Sequence, residues 1–322
     1  MTVGGYAGAS DTGRKRRRNE DAYVIAPPIF AVADGMGGAQ AGEVASKLAA
    51  AALEDTDPGA LKGSARVTSL IQEANRRVYE RSNSDPSASG MGTTMTVALV
   101  EGDAVTFGHV GDSRAYLLRD GVMQQLTEDH SLVNELLKSG KLSPEEAETH
   151  PQRSVITRAV GTDPDVDVES FTVDAHVGDV FLICSDGLTD MVDDEEILGV
   201  LDRHHKDLDR ATKALVSAAN RGGGADNITV VAFAIGADGA DTVAMPAAED
   251  DTLHGVKISE TVDTMVVPPD KVDAVLLEAG SPEALAAVQR EPISRGARAR
   301  LVLAMVGLLG LAAVLLIWGL LR

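Results

Sequence analysis

The sequence predicts an α+β fold, a sandwich of antiparallel strands flanked by helices. Two observations favour it: helical patterns come in pairs, and short β-branched runs follow one another with no helix between them. An alternating βαβ fold would instead place a helix after nearly every strand. The length of 322 residues and a hydrophobic content of 44% allow one large domain with a sizeable core, together with further segments.

The individual elements follow from periodicity along the chain. Residues 41–53 and 64–82 are rich in helix formers and carry apolar residues at helical spacing. A β-branched run begins at Thr93 and opens a set of short strands that continues to about Leu126. The later predicted elements are a helix near 132–139, another from Pro144, a strand over 180–184, helices near 193–202 and 208–220, and a last strand from Asp226 to about Ile235.

Carboxylates stand repeatedly at the ends of these predicted strands. Asp34 ends an apolar run and is followed by glycines, so that its side chain and the Gly35 carbonyl can present oxygen ligands to Mg²⁺ or Mn²⁺. Taken alone, an Asp-Gly pair is more typical of a plain turn. A second apolar run ends in Asp186-Gly187, Asp112 follows a short strand, and Asp226 stands at the start of another. Four carboxylates brought together by a folded sheet predict a multi-metal site.

Charge limits the partners of this chain. The formal net charge of −20 disfavours general nucleic-acid binding, because most of the surface would repel a phosphate backbone. The five basic residues 14–18 stand out, and Asn19, Glu20 and Asp21 follow them directly. They are open to interpretation as a solvated charge run, a nucleic-acid patch or the source of an arginine that clamps a metal-bound phosphate. The single cysteine, Cys184, excludes an intramolecular disulfide and is expected to pack in a strand.

A polar helical segment interrupts the predicted strands. It runs from about Thr127 to Arg153, contains two histidines and is interpreted as a flap over the site. His130 and His150 are candidate acid–base groups, but histidines in so polar a segment are expected at the surface.

The composition changes after Gly236. Residues 1–236 are predicted to form the catalytic domain and 237–300 an acidic flexible linker with a basic end. Residues 301–321 are apolar without a charge, which is long enough to cross a bilayer once. Four arginines precede this span and only Arg322 follows it, so the positive-inside rule predicts a cytoplasmic catalytic domain anchored to the cell membrane.

Five ordered motifs within about residues 5–236 match one pattern. They are Gly13-x-x-Arg16-x-x-Asn19-Glu20-Asp21, Asp34-Gly35-Met36-Gly37-Gly38, Gly111-Asp112-Ser113-Arg114, Ser185-Asp186-Gly187 and Asp226-Asn227-Ile228-Thr229. The pattern resembles the metal-dependent protein serine/threonine phosphatases of the PPM, or type 2C, class. The resemblance implies an αββα sandwich of two antiparallel sheets with metal ions in a cleft at one end. With its linker and C-terminal span, the chain is similar to bacterial membrane-anchored phosphatases that oppose eukaryotic-type Ser/Thr kinases.

The resemblance implies a role for each motif. Asp34 would bridge two Mn²⁺ or Mg²⁺ ions and the Gly35 carbonyl would bind one of them. Asp186 and Asp226 would hold the first ion.

Three further assignments rest on the same resemblance. Asp21, with Glu20 close by, would support the metal pair directly or through water. Asp112 would share with Asp186 a third, weaker ion. Arg16 falls at the position of the phosphate-binding arginine.

The implied chemistry is hydrolysis of phosphoserine and phosphothreonine in proteins by a metal-activated water. One departure concerns Met36, because some family members have a histidine there that protonates the leaving alkoxide and methionine cannot. A metal-bound water or another residue would supply that proton. The alternatives are a phosphatase dedicated to one regulator, such as an anti-anti-sigma protein, an inactive phosphoprotein-binding module, and a membrane-tethered scaffold. The intact carboxylates disfavour the last two.

Overall fold

The computed structural model describes residues 1–37, 41–55, 60–237, 243–244 and 265–266. Its helices are α1 (Ala41–Asp55), α2 (Gly63–Ser84), α3 (Leu132–Lys138), α4 (Pro144–Glu148), α5 (Asp186–Thr189), α6 (Asp194–His204) and α7 (Leu208–Gly222). Its strands are β1 (Thr2–Asp11), β2 (Asp21–Ala26), β3 (Ile29–Met36), β4 (Gly92–Thr93), β5 (Met95–Glu101), β6 (Ala104–Val110), β7 (Arg114–Arg119), β8 (Val122–Gln125), β9 (Val155–Ile156), β10 (Glu169–Asp174), β11 (Val180–Cys184), β12 (Ile228–Gly236), β13 (Val243–Ala244) and β14 (Met265–Val266).

Two sheets form the centre of the molecule. The first has the strand order β13-β1-β12-β11-β7-β8, and the second has the order β10-β6-β5-β3-β2 with β4 added beside β3. Neighbouring strands pair antiparallel in both sheets, apart from β13, which pairs parallel with β1. The predicted α+β class with two antiparallel sheets is confirmed.

The layers are held by three apolar clusters. Between the sheets, the ring of Phe30 from the second sheet stacks on that of Phe233 from the first, with centroids 4.3 Å apart. Helices α1 and α2 cover the outer face of the second sheet, and α6 and α7 cover the outer face of the first. The order of layers is therefore helix, sheet, sheet, helix.

Periodicity explains why the helices pack as they do. The predicted apolar stripe of α2 is wholly buried against the second sheet; its members are Val67, Leu70, Ile71, Ala74 and Val78. Helix α7 begins at the N-cap Asp207, whose side chain accepts a hydrogen bond from the Arg210 amide. It ends at Gly223, whose φ of 141° favours glycine.

The topology brings the acidic motifs to strand ends and helix starts. Asp34 lies near the end of β3, which continues two residues further than the apolar run suggests. Asp186 is the first residue of α5, directly after β11 and Ser185. Asp112 follows β6 by two residues, and Asp226 precedes β12 by two.

Two predictions concern the C-terminal region. Contacts group Met1–Leu276 into one unit and Leu277–Arg322 into a second, and no residue of the second belongs to the described ranges. The predicted membrane span 301–321 therefore lies outside the described residues. None of the helices in the described ranges has the length and apolar character that a bilayer crossing requires. The short strands β13 and β14 fall within the predicted linker.

Candidate metal centre

The aspartates of the acidic motifs meet in one cluster. Strands β2 and β3 pair so that Asp21 lies opposite Asp34. The residues whose negative charges act on the Asp34 carboxylate are Asp21, Asp186, Asp226 and Asp112. The fold thus brings together carboxylates from distant parts of the chain.

Burial and mutual repulsion oppose ionisation of these carboxyl groups. Burial first, and neighbouring aspartates second, hold the pKa values of Asp34 and Asp186 well above their ordinary range. Burial raises the pKa of Asp21 to about 6 and that of Asp112 to about 7. A cation among them would favour the ionised form and reverse both effects.

The backbone at Gly35 is packed too closely for any side chain. A Cβ atom there would lie 2.1 Å from the Gly42 carbonyl oxygen and 2.5 Å from that of Glu20. A Cβ atom at Gly42 would lie 2.7 Å from both Oε2 of Glu20 and the Gly35 carbonyl oxygen. These two oxygens therefore border the same space at the start of α1. Glycine is required at residue 35 because the backbone of Glu20 and Gly42 leaves no room for a Cβ atom.

Two oxygens of the cluster are buried without a hydrogen-bond partner, Oδ1 of Asp21 and Oδ1 of Asp186. A buried carboxylate oxygen left in this way is costly, and a bound ion is one of the few arrangements that satisfies it. The donors are all oxygen atoms, which suits Mg²⁺ and Mn²⁺. The residues fit such ions; the candidate ligands are Asp21, Asp34, Asp186, Asp226 and the Gly35 carbonyl.

Arg16, the predicted phosphate anchor, lies at the same cluster. Its Nη2 donates to Oδ2 of Asp226 at 2.7 Å, and the Ser185 hydroxyl donates to Oδ2 of Asp21 at 2.9 Å. In the described ranges, no group of three or more acidic, histidine or cysteine side chains is arranged to hold a metal ion in this structure. Metal binding at Asp226 would compete with its ion pair.

Met36 is part of the packing around this site. It is buried together with Ile156 and Ala159 in a small apolar cluster. A thioether carries no proton that it could donate. Met36 therefore packs β9, which follows the flap directly, against β3, the strand that carries Asp34.

The expectation that both histidines of the flap lie at the surface is wrong. His130 is 5% exposed and His150 is 3% exposed. Nδ1 of His130 accepts a hydrogen bond from the Gly111 amide at 3.1 Å, and its Nε2 lies 3.1 Å from the Glu169 carboxylate. Its ring packs on that of His109 with centroids 4.7 Å apart. Burial lowers the pKa of His130 to about 2 and that of His109 to about 4, so both rings remain neutral.

Asn227 is a site residue that the sequence analysis overlooked. Its Nδ2 donates to the carbonyl oxygens of Thr12 and Arg18, and its Oδ1 accepts from the Glu20 amide at 2.7 Å. The side chain thereby fixes the basic segment beside the metal cluster. Its place directly after Asp226 was the available signal.

Two further residues were missed for different reasons. The Thr94 hydroxyl accepts a hydrogen bond from the Asp34 amide at 2.9 Å and is paired with the Ser113 hydroxyl at 2.8 Å. The sequence analysis took the threonines of this region as strand formers only. Asp190 lies one helical turn after Asp186 and has its pKa raised by burial. That spacing of four residues indicates a shared face.

A cleft of about 620 Å³ opens beside the cluster. Asp112 and Asp186 line one side, and Ser131, Asn134 and Arg153 from the flap line the other. The flap thus borders the cleft, in agreement with its predicted place over the site.

The matched family accounts for this arrangement. A family model described as protein phosphatase 2C matches residues 14–221, well over half of the chain. The chain belongs to the protein phosphatase 2C family. The matched range contains the acidic motifs up to Asp186, and Asp226 lies five residues beyond it.

Bacterial phosphatases are among the relatives of this chain. The serine/threonine protein phosphatase PstP of Mycobacterium tuberculosis is 43% identical over 229 residues, which is 70% of this chain and 44% of PstP. The serine/threonine phosphatase stp of Listeria innocua is 41% identical over 233 residues, which is 69% of this chain and 92% of stp. The chain thus spans less than half the length of PstP and nearly all of stp.

Solved structures of the family share the fold. The crystal structure of M. tuberculosis PstP has a TM-score of 0.68 at 41% identity and covers 72% of this chain and 98% of the PstP structure. A second structure, of the PstP catalytic domain in complex with two manganese ions, has a TM-score of 0.66 at 39% identity and covers the same shares of each chain.

Proposed function

We propose that this chain is a metal-dependent phosphatase that hydrolyses phosphoserine and phosphothreonine in proteins. The observation that carries the proposal is the buried cluster around Asp34, with the unpartnered oxygens of Asp21 and Asp186 beside Arg16. Such a cluster is costly on its own and is typical of a site that binds cations. The manganese-bound structure of PstP supports two Mn²⁺ ions for this chain as well.

The residues of the cluster have different roles in this proposal. Asp34, Asp186 and Asp226 would bind the ions directly. Asp21, Glu20 and the Gly35 carbonyl would contribute further oxygen ligands, directly or through water. When bound, the ions lower the pKa of a water molecule and neutralise charge on the phosphate group. Mg²⁺ in place of Mn²⁺, and a third ion shared by Asp112 and Asp186, are further parts of the proposal.

The phosphate is oriented by Arg16, whose guanidinium donates two parallel hydrogen bonds to its oxygens. The cleft beside Asp112 receives the peptide that carries the phosphorylated residue. Met36 supplies no proton, so water in the open cleft protonates the leaving oxygen. The buried rings of His109 and His130 take no part, because each is engaged and stays neutral.

Phosphate release from a phosphothreonine peptide tests the proposal. We expect no release in EDTA and recovery on addition of Mn²⁺ in excess of the chelator. Calorimetry of peptide binding in the presence of Mn²⁺ identifies an inactive phosphoprotein-binding module, which would bind the peptide without releasing phosphate. Full activity in EDTA would contradict the proposal.

We also propose that the phosphatase opposes membrane-bound Ser/Thr kinases. The apolar, uncharged run 301–321 with four arginines before it supports a single-pass anchor that leaves the catalytic domain cytoplasmic. The full chain and a variant that ends at Arg300 are to be compared in vesicles that contain a phosphorylated membrane kinase. We expect similar rates on a soluble peptide and a faster rate on the kinase for the full chain. Equal rates on the kinase would count against the anchor.

A further inference from the structure

Strand β9, which follows the flap directly, has a backbone edge that pairs with residues Met265–Val266 of the C-terminal region. Strand β9 is bordered on one side by Ser131, which bridges Ile156, and the Thr157 amide donates to the His130 carbonyl at 2.8 Å. On the other side, β14 pairs with it in parallel, with Met265 opposite Val155. A segment of the predicted linker thus forms a separate two-stranded parallel sheet with β9.

Strand β9 lies close to both the proposed metal cluster and the cleft beside it. Ile156 packs against Met36, two residues after Asp34 in the metal-binding motif. Arg153 and Ser154, immediately before β9, line the cleft that Asp112 and Asp186 also border. A chain laid along β9 therefore lies beside the entrance to the catalytic cluster.

The chemistry of this edge is that of strand addition. Backbone amide groups of successive strand residues point to opposite edges, so those of Ile156 face away from Ser131 and toward β14. An open strand edge accepts any extended chain through main-chain hydrogen bonds and makes few demands on its side chains. A phosphorylated segment of a protein substrate is such a chain, because it must leave the cleft in an extended form on either side of its phosphorylated residue.

We propose that β9 is a strand-addition site for extended peptide substrates and that the segment Met265–Val266 occupies it as an intramolecular competitor. That the substrate peptide is a segment of a phosphoprotein rests on the proposed function. The docking of Met265–Val266 on β9 does not depend on it. Covalent attachment gives the segment an effective concentration of about millimolar, so even a short ladder competes with substrates. The region after Gly236 then acts on catalysis as well as on location.

The test compares two full-length variants. Met265→Pro with Val266→Pro removes both amide donors of β14. Val275→Pro with Leu276→Pro makes the same change in another apolar part of the region and serves as the matched control. Hydrogen exchange at the Ile156 amide reports docking, and the KM values for a phosphothreonine peptide and for a small aryl phosphate report competition.

Competition has a defined signature. If β14 is docked for half to nine-tenths of the time, its loss lowers the KM for the peptide by about 2- to 10-fold and accelerates Ile156 exchange by a similar factor. The KM for the aryl phosphate, which has no chain to lay along β9, stays unchanged, and the control variant behaves as wild type.

Two results would overturn the proposal. Unchanged exchange at Ile156 means that the segment does not dock, and faster exchange with an unchanged or higher peptide KM means that it is only a structural part of the flap. If no variant releases phosphate from either substrate, the proposed function fails. The affinity for the unhydrolysed peptide is then compared between the Met265→Pro/Val266→Pro variant and the control variant. Tighter binding by the first supports the competition, and equal binding contradicts it.

Discussion

The metal cluster and the histidine pair of the flap are both buried and ionisable, yet they are built in opposite ways. In the cluster, Oδ1 of Asp21 and Oδ1 of Asp186 are buried without a partner, and repulsion among the aspartates adds to the cost of burial. In the histidine pair, Thr96 and Gly111 engage Nδ1 of His109 and of His130 respectively. A ligand is needed to complete the first region, whereas the second is complete within the protein. Incomplete bonding, more than burial, therefore separates the reactive region from the structural one.

The largest expected effect is that of Asp34→Asn. The substitution keeps the shape of the side chain but removes the charge that would be shared between two ions. We expect kcat for a phosphothreonine peptide to fall by about 10³-fold or more. In EDTA at pH 7.5 we expect the same variant to be more stable than wild type by about 2–4 °C in Tm, because one repelled buried charge is gone.

The control for this prediction is Asp202→Asn, which changes an exposed residue of α6. It should alter neither kcat nor Tm appreciably. Wild-type kcat in the Asp34→Asn protein would remove the basis for a shared metal ligand.

Arg16→Ala is expected to act mainly on substrate binding. Loss of a charge-assisted hydrogen-bond pair to phosphate costs about 1.5–3 kcal/mol, or roughly 10- to 100-fold in KM, with a smaller change in kcat. Arg17 is exposed and serves as the matched control. Steady-state kinetics on one phosphopeptide measure both variants. Equal damage from Arg17→Ala would mean that the basic segment works as a diffuse patch.

The fold was largely predictable from the sequence, and the reason lies in local patterns. The apolar stripe of α2 repeats at helical spacing, and its members are buried as predicted. The acidic motifs stand next to apolar strands, so the sheet itself brings them together. Burial of His130 could not be predicted, because it depends on the Gly111 amide and the Glu169 carboxylate, which are distant in sequence. The pairing of β14 with β9 was also missed, since main-chain hydrogen bonds leave little trace in side-chain patterns.

His130→Ala tests the structural half of the comparison. Removal of the ring leaves a cavity and deprives the Gly111 amide of its acceptor, so we expect the free energy of unfolding to fall by about 2–4 kcal/mol. His130→Asn retains an acceptor oxygen and should lose less. Urea denaturation measures both. In either variant, kcat at a temperature where the protein is folded should stay within about threefold of wild type. A fall of 100-fold in a folded variant would instead identify His130 as a proton donor.

The smallest effect expected is a difference in how stability depends on pH with and without metal. The pKa of Asp21 is raised from 3.8 to about 6 in the folded state, so the metal-free protein holds a proton that the unfolded chain releases. This contribution to stability is lost as pH rises from about 4 to 6.

His109 has the opposite effect. Its pKa is lowered from 6.5 to about 4, so the unfolded chain binds a proton that the folded state does not bind. Stability is therefore lost as pH falls from about 6.5 to 4. In EDTA the raised pKa values of the buried aspartates and the lowered pKa values of His109 and His130 act on stability in opposite directions, and we expect Tm to change by only about 2–4 °C between pH 5 and pH 7.5. With Mn²⁺ bound, the carboxylates stay ionised in the folded state, which leaves the histidine contribution unopposed, so Tm should rise more steeply with pH. Thermal unfolding at both pH values, with EDTA and with Mn²⁺, measures the two slopes. Parallel slopes would mean that the ion does not bind at these aspartates.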